Sequence, residues 1–151
     1  MARDRTFEKY SKDWRTETLS LSSLENFTKF KSVHGLEKYL SIITNKQHLI
    51  AYTRFRLRSH SLAIETGRHR NIPREHRTCL YCDSDQVEDE VHFLLFCAFY
   101  DELRRPLIPL ISELNTHDAF VFLLHSTAPN TTRLVPKFIY QSFNKRSEAN
   151  I

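Results

Sequence analysis

The stretch Thr78–Cys97, TCLYCDSDQVEDEVHFLLFC, decides how this chain is read. All three cysteines, Cys79, Cys82 and Cys97, fall within its 20 residues, with His92 between them in the pattern C-x2-C-x9-H-x4-C. Two cysteines separated by two residues let a tight turn aim both sulfurs at one point about 2.3 Å away, the zinc–sulfur distance. His92 and Cys97 are harder to bring together. On an ideal helix they would point about 140° apart, because each residue turns about 100°. They converge only if the helix ends or tightens near Phe96, which places Cys97 at its C-terminal end.

Four protein ligands leave no open coordination position, so the pattern predicts one structural Zn2+ and no catalytic metal. Three thiolates, one neutral imidazole and Zn2+ sum to one negative charge, which favours arginine neighbours such as Arg77. His76 is the substitute ligand if His92 faces away. A plainer reading is three buried cysteines and a core histidine, since cysteine is among the most buried residue types and Leu94, Leu95 and Phe96 are apolar neighbours. The clustering of all three cysteines around a histidine at ligand spacing favours the metal.

Around this centre, 151 residues give room for one domain, whose core can bury about 68–70% of the unfolded surface. Gly35 and Gly67 are the only glycines. A β-sandwich or barrel needs many more tight turns, so the fold class predicted is mainly α, a small helical domain built on the zinc knuckle. We place this domain at residues 33–147, after a polar N-terminal segment at 1–32 that reads as a short helix and an extended connection. No run reaches the 18 or so apolar residues of a membrane span, and no signal peptide is recognisable. The expected location is therefore intracellular, nuclear or cytoplasmic, where cysteines serve metals more often than disulfides.

Periodicity supplies the helices. Leu36, Tyr39, Leu40 and Ile43 share one helical face, and Asn45 can cap a second helix through Leu49, Tyr52 and Phe55. Gly67 reads as a helix stop. Asp85, three residues before Glu88, has the spacing of a capping box ahead of the apolar run Val91–Phe96. Leu103, Leu107, Leu110, Ile111 and Leu114 fit a helix that Pro106 and Pro109 should break. Phe120–Leu124 is apolar throughout and periodicity cannot classify it. Val135, Phe138, Ile139 and Phe143 line a last helix, with Pro136 where a first turn tolerates it.

The charges are unevenly spread. From Arg54 to Arg77, seven arginines stand against Glu65 and Glu75, whereas Asp83–Glu90 holds five acids and no base. Arg54, Arg58, Arg68, Arg70, Arg74 and Arg77 are candidate phosphate contacts, with Arg54 and Arg58 on one helical face, Arg56 off it, and Tyr52, Phe55 and Tyr81 as stacking platforms. The alternative is a solvated face that offsets the acids. Glu88, Asp89 and Glu90 read as first-turn acids favoured by the helix dipole, without chemistry. The terminal helix, with Lys137, Lys145 and Arg146, packs its aromatics inward and leaves its charges wet. A zinc deaminase needs H-x-E and P-C-x-x-C, but Leu62 follows His60 and Thr78 precedes Cys79, so that reading fails.

RFRLRSHSLAIETGRHRNIPREHRTCLYCDSDQVEDEVHFLLFCAFYDELR, residues 54–104, also resembles the C-terminal zinc-binding region that follows the polymerase in non-LTR (LINE-type) retrotransposon reverse transcriptases. The resemblance rests on an E-x-G-R, the C-x2-C, V-E-D-E-x-H-x-L-L-x-C and a following Y-x-x-L-R. It continues more weakly through FTKFKSVHGLEKYLSIITNK, FVFLL and LVPKFIYQSFNKR. Ala98 stands where many relatives have proline, and Pro106 interrupts a segment that is usually one helix. The resemblance implies zinc on Cys79, Cys82, His92 and Cys97, and an RNA- or DNA-binding role for a transposon-derived module. It implies no enzyme, because the polymerase palm and its paired aspartates are not in these residues. The second function expected from the sequence is a protein-interaction adaptor or a non-catalytic remnant.

Overall fold

The computed structural model describes residues 2–149, and these are mainly helical, with no strand. Helix α1 spans Ala2–Ser20, far longer than the short helix expected for the N-terminal segment. Its Trp14 ring meets Phe27 at 6.5 Å, on α2 (Phe27–Phe30). The face proposed from Leu36 to Ile43 is only partly helical. Helix α3 is the single turn Tyr39–Ile42, which buries Tyr39, while Leu36 lies outside it and is 85% exposed.

Helix α4, Lys46–Arg56, begins as predicted, with Asn45 accepting from the His48 N–H. Its end corrects the sequence reading. Ser59 N–H bonds Arg54 O at 2.8 Å and Arg58 N–H bonds Phe55 O at 3.1 Å, while Arg58 has φ +56°. This is a Schellman motif in which an arginine occupies the left-handed position that glycine usually takes. Arg58 thus leaves the helix and does not share a face with Arg54.

Helix α5, Ala63–His69, repeats the motif with Asn71 (φ +56°) in the left-handed position. Its bonds are Asn71 N–H to Arg68 O and Ile72 N–H to Gly67 O. Gly67 is therefore inside the helix and is not its stop. A Cβ there would lie 2.6 Å from Arg77 Cγ, and Arg77 cannot swing away because it donates to Ile72 O (2.8 Å) and Ile64 O (3.0 Å). Gly67→Ala in a helix interior would ordinarily gain up to about 1 kcal/mol. Here it is expected to cost about 1–3 kcal/mol by overpacking, and the double variant with Arg77→Ala should cost less than the two singles summed. Thermal denaturation of the four proteins checks both signs.

Beyond the cysteine segment, Pro106 and Pro109 divide the chain as expected. Helix α6 is Asp101–Arg104, a 3-10 turn covers Arg105–Leu107, and α7 is Ile108–Ile111. Helix α8, Thr116–His125, settles the ambiguous apolar run as helix, capped by Asn115. Helix α9, Pro129–Glu148, starts two turns earlier than predicted, so Pro136 is an interior residue. It leaves the Thr132 carbonyl without its helical N–H partner.

Helices α4 and α9 pack most extensively on one another. Between them sits Phe93, fully buried, with its ring 5.3 Å from Phe55, 4.8 Å from Tyr100, 5.7 Å from Phe138 and 5.0 Å from Phe143. Because Phe93 follows His92 directly, the cysteine–histidine segment is anchored in the centre of the core.

Candidate metal centre

The centre is assembled from a turn and a short, widened helix. Thr78 and Val87 form an isolated antiparallel bridge, and Cys79 N–H bonds Gln86 O at 2.9 Å, so the chain folds back after the C-x2-C turn. Asp85 sits in this reversal with φ +51° and does not cap the following helix. The cap is Asp89, whose carboxylate accepts from His92 N–H at 2.9 Å.

His92–Phe96 is a π-helical turn, closed by Cys97 N–H to His92 O at 2.8 Å. The helix does end at Cys97, but it widens there and does not tighten. An i to i+5 bond brings residues five apart onto one side, which is the separation of His92 and Cys97. The widened turn holds because Arg104, buried two turns on, gathers its carbonyls. The guanidinium donates to Phe93 O (3.1 Å), Leu94 O (2.9 Å) and Cys97 O (2.7 Å).

The four donor atoms of Cys79, Cys82, His92 and Cys97 all lie within 4.8 Å of one another and can hold a metal ion. Cys79 Sγ is 3.8 Å from Cys97 Sγ, and Cys82 Sγ is 3.4 Å from His92 Nε2. Cys79, His92 and Cys97 are buried, and Cys82 is half-buried. His76, the substitute ligand, is exposed and lies outside the cluster. The other ring nitrogen, His92 Nδ1, is 3.2 Å from Gln86 Oε1, which turns Nε2 toward the sulfurs.

The crowding of donors shows in their ionisation. The hydrogen bond from Cys97 lowers the Cys79 thiol to about 3, and the same contact raises Cys97. Hydrogen bonding to Cys79 raises His92. Protons here are shared among groups that a cation would displace them from, so metal affinity should rise with pH.

Glu88 links this centre to the last helix. Its carboxylate pairs with Arg146, accepts from Ala63 N–H at the start of α5 (2.7 Å), and lies 3.8 Å from Cys79 Sγ. Arg146 also lies over Tyr81, 4.2 Å from the ring centroid, and Lys145 donates to Phe99 O at 2.7 Å. The terminal helix does bury Phe138, as expected, but Lys145 and Arg146 clamp the knuckle, while Lys137 and Arg133 are exposed. Glu88 and Glu90 are likewise buried ion-pair partners, of Arg146 and Arg58, and not wet first-turn acids. Sequence reasoning gave Gln86, Glu88 and Arg104 no role at the centre. For Glu88 and Arg104 the one signal was membership of the V-E-D-E and Y-x-x-L-R strings, which carry no spacing rule for such work, and Gln86 had none.

The arginine set divides. Arg58 is buried among Glu65, Glu90 and Ser22 O, and Arg77 holds backbone carbonyls over Gly67, so neither faces a ligand. Arg68 is tied to Glu65 at 2.7 Å, and Arg74 is exposed but 3.1 Å from Asp89. Arg54 and Arg70 are exposed with no ion pair among the described residues. Tyr52 and Phe55 are buried in the core and Tyr81 lies under Arg146, so the three predicted stacking platforms are occupied.

Fold and centre together define a helical domain organised around a three-cysteine, one-histidine cluster. No protein-family model matches the chain, and no curated protein or solved structure matches it. No single helix among the described residues is long and apolar enough to cross a membrane.

Proposed function

We propose that the chain is a structural-zinc module that binds RNA or DNA, as its resemblance to the tail of LINE-type reverse transcriptases implies, and that it takes single strands. The observation that carries the zinc assignment is the spacing of the donors. Zinc–sulfur bonds of about 2.3 Å and zinc–nitrogen bonds of about 2.0–2.1 Å at tetrahedral angles put sulfurs about 3.8 Å apart and sulfur–nitrogen pairs about 3.6 Å apart. Two of the six separations, 3.8 Å and 3.4 Å, fall within about 0.2 Å of these values, and the other pairs lie within 4.8 Å. Three thiolates select a soft ion, and four protein donors fill its coordination. The bound ion then ties the knuckle to the π-turn and, through Phe93, to the core.

Nucleic-acid binding draws support from the basic balance, pI about 9.1, and from the exposed Arg54, Arg70 and Arg74. Arg58 and Arg77 have no part in it. Each phosphate contact on a single strand contributes a slope of about −0.7 to log K against log salt. Purified protein is expected to carry one zinc per chain and to bind a labelled single strand with a slope of about −2. Arg54→Gln with Arg70→Gln should flatten that slope by about 1.4 while leaving zinc content unchanged. Folded protein without zinc would end the metal assignment. Absence of strand binding at about 50 mM salt would leave the adaptor or remnant as the function.

A further inference from the structure

The three sulfurs of the metal centre are not equally shielded. Cys97 is fully buried and Cys79 is 6% exposed. Cys79 Sγ faces Cys97 Sγ at 3.8 Å and the buried carboxylate of Glu88 at 3.8 Å. Cys82 differs on both counts. It is half-buried, it opens the exposed run Asp83–Gln86, and its Sγ lies 3.1 Å from the hydroxyl of exposed Ser84. Leu80, between the two cysteines of the turn, is 70% exposed, so the turn stands at the surface while its first sulfur points into the protein.

Thiolate character and exposure decide which cysteine an oxidant reaches. A zinc ion holds all three sulfurs as thiolates, so exposure alone separates them, and it selects Cys82. Cys79 is placed to complete the reaction without meeting the oxidant itself. It shares the C-x2-C turn with Cys82, a spacing at which disulfides form and break readily, and the donors lie within 4.8 Å of one another.

We propose that the centre is a peroxide-sensitive switch, in which Cys82 is oxidised first and closes a disulfide with Cys79 that expels the zinc. The proposal rests on the zinc assignment above and adds how the ion is released. The Cys82 thiolate attacks one oxygen of hydrogen peroxide, the O–O bond breaks, and Cys82 sulfenic acid and hydroxide form. The Cys79 thiolate then attacks that sulfur, forms the S–S bond and expels a second hydroxide. Two protons convert both hydroxides to water, and two electrons have passed from sulfur to peroxide. His92 and Cys97 remain, and two donors cannot close a tetrahedral site. Both stand on or beside the π-turn, so the tie between that turn and the C-x2-C turn is cut. A disulfide is reducible by thiols, so the change is reversible.

The test treats the full, zinc-loaded chain with about ten equivalents of hydrogen peroxide and follows zinc release with a chromogenic chelator. Free thiols are then alkylated and the chain is cleaved after acidic residues, which separates Cys82 from Cys97 at Glu88 and Glu90. Zinc release should keep pace with a Cys79–Cys82 disulfide, and dithiothreitol with added zinc should restore metal and helicity. Cys82→His keeps a fourth donor and should hold zinc, but release it at least about tenfold more slowly. Zinc retained under peroxide, a disulfide that leaves Cys82 reduced, or equally fast release from Cys82→His would each overturn the switch and leave the metal assignment standing. If Cys82→His fails to load, the disulfide map of the wild type decides alone. A folded wild type that carries no zinc would end both.

Discussion

Replacing Cys97 with serine is expected to strip the proposed zinc and unfold the centre of the protein. Structural zinc supplies about 10–16 kcal/mol of apparent binding energy in small zinc-dependent folds, against a total stability of about 5–15 kcal/mol for an ordinary domain. Cys97 is fully buried, its N–H closes the π-turn, and its carbonyl is one of three held by Arg104. Loss of the ion would leave two sulfurs, the new hydroxyl and an imidazole crowded together with no cation to hold them. The π-turn would then be held by Arg104 alone, and Phe93 would lose its fixed position among Phe55, Tyr100 and Phe138. Cys82→Ser should act similarly but less completely, because Cys82 is half-buried. His92→Ala should resemble Cys97→Ser, whereas His76→Ala should retain the metal. Zinc analysis with far-ultraviolet circular dichroism, before and after a chelator, separates these outcomes. A Cys97→Ser protein with full helicity and no zinc would show that packing alone holds the fold.

What could be read in the sequence, and what could not, follows from how local each effect is. The metal ligands were legible because thiolate chemistry needs few residues at short spacing, and Cys79, Cys82, His92 and Cys97 do converge. Asn45 was legible as a cap for the same reason, since its bond to His48 N–H spans three residues. The π-turn was not, because helical arithmetic assumes 3.6 residues per turn and the bond from Cys97 to His92 departs from it. Gly67 was misread because the feature that demands a glycine there is Arg77, ten positions away in sequence and in contact through space. Arg58 was misread because a helical register was extended two residues past where α4 ends, and no sequence rule expects arginine at a left-handed position. The interior Pro136 was taken for a start because the buried first turn of α9, with Thr131 and Thr132, carries little apolar signal.

Arg58 is also where the second large effect is expected. Its side chain is 5% exposed and reaches three elements. It lies 2.8 Å from Glu65 on α5 and 3.0 Å from Glu90 ahead of the π-turn, and it donates to Ser22 O near the N-terminal helix at 3.0 Å. Glu65 and Glu90 are both 2% exposed, so they depend on a cation brought into the same apolar surroundings. Removing one partner of a buried ion pair costs about 3–5 kcal/mol, because the other charge stays buried without compensation. Arg68 still reaches Glu65 and His60 still reaches Glu90, which places Arg58→Ala near the lower figure, about 3 kcal/mol. The backbone contributes separately. At φ +56° any residue with a Cβ is strained by about 1–2 kcal/mol, part of which glycine returns through its greater freedom in the unfolded chain. Arg58→Gly should therefore be about 1 kcal/mol more stable than Arg58→Ala, while both stay well below the wild type. Urea denaturation of the zinc-loaded proteins at neutral pH measures each difference. If both variants match the wild type, the guanidinium is not what joins α1, α5 and the metal turn. If glycine and alanine are equal but both low, the ion pairs carry the whole effect and the left-handed backbone costs nothing.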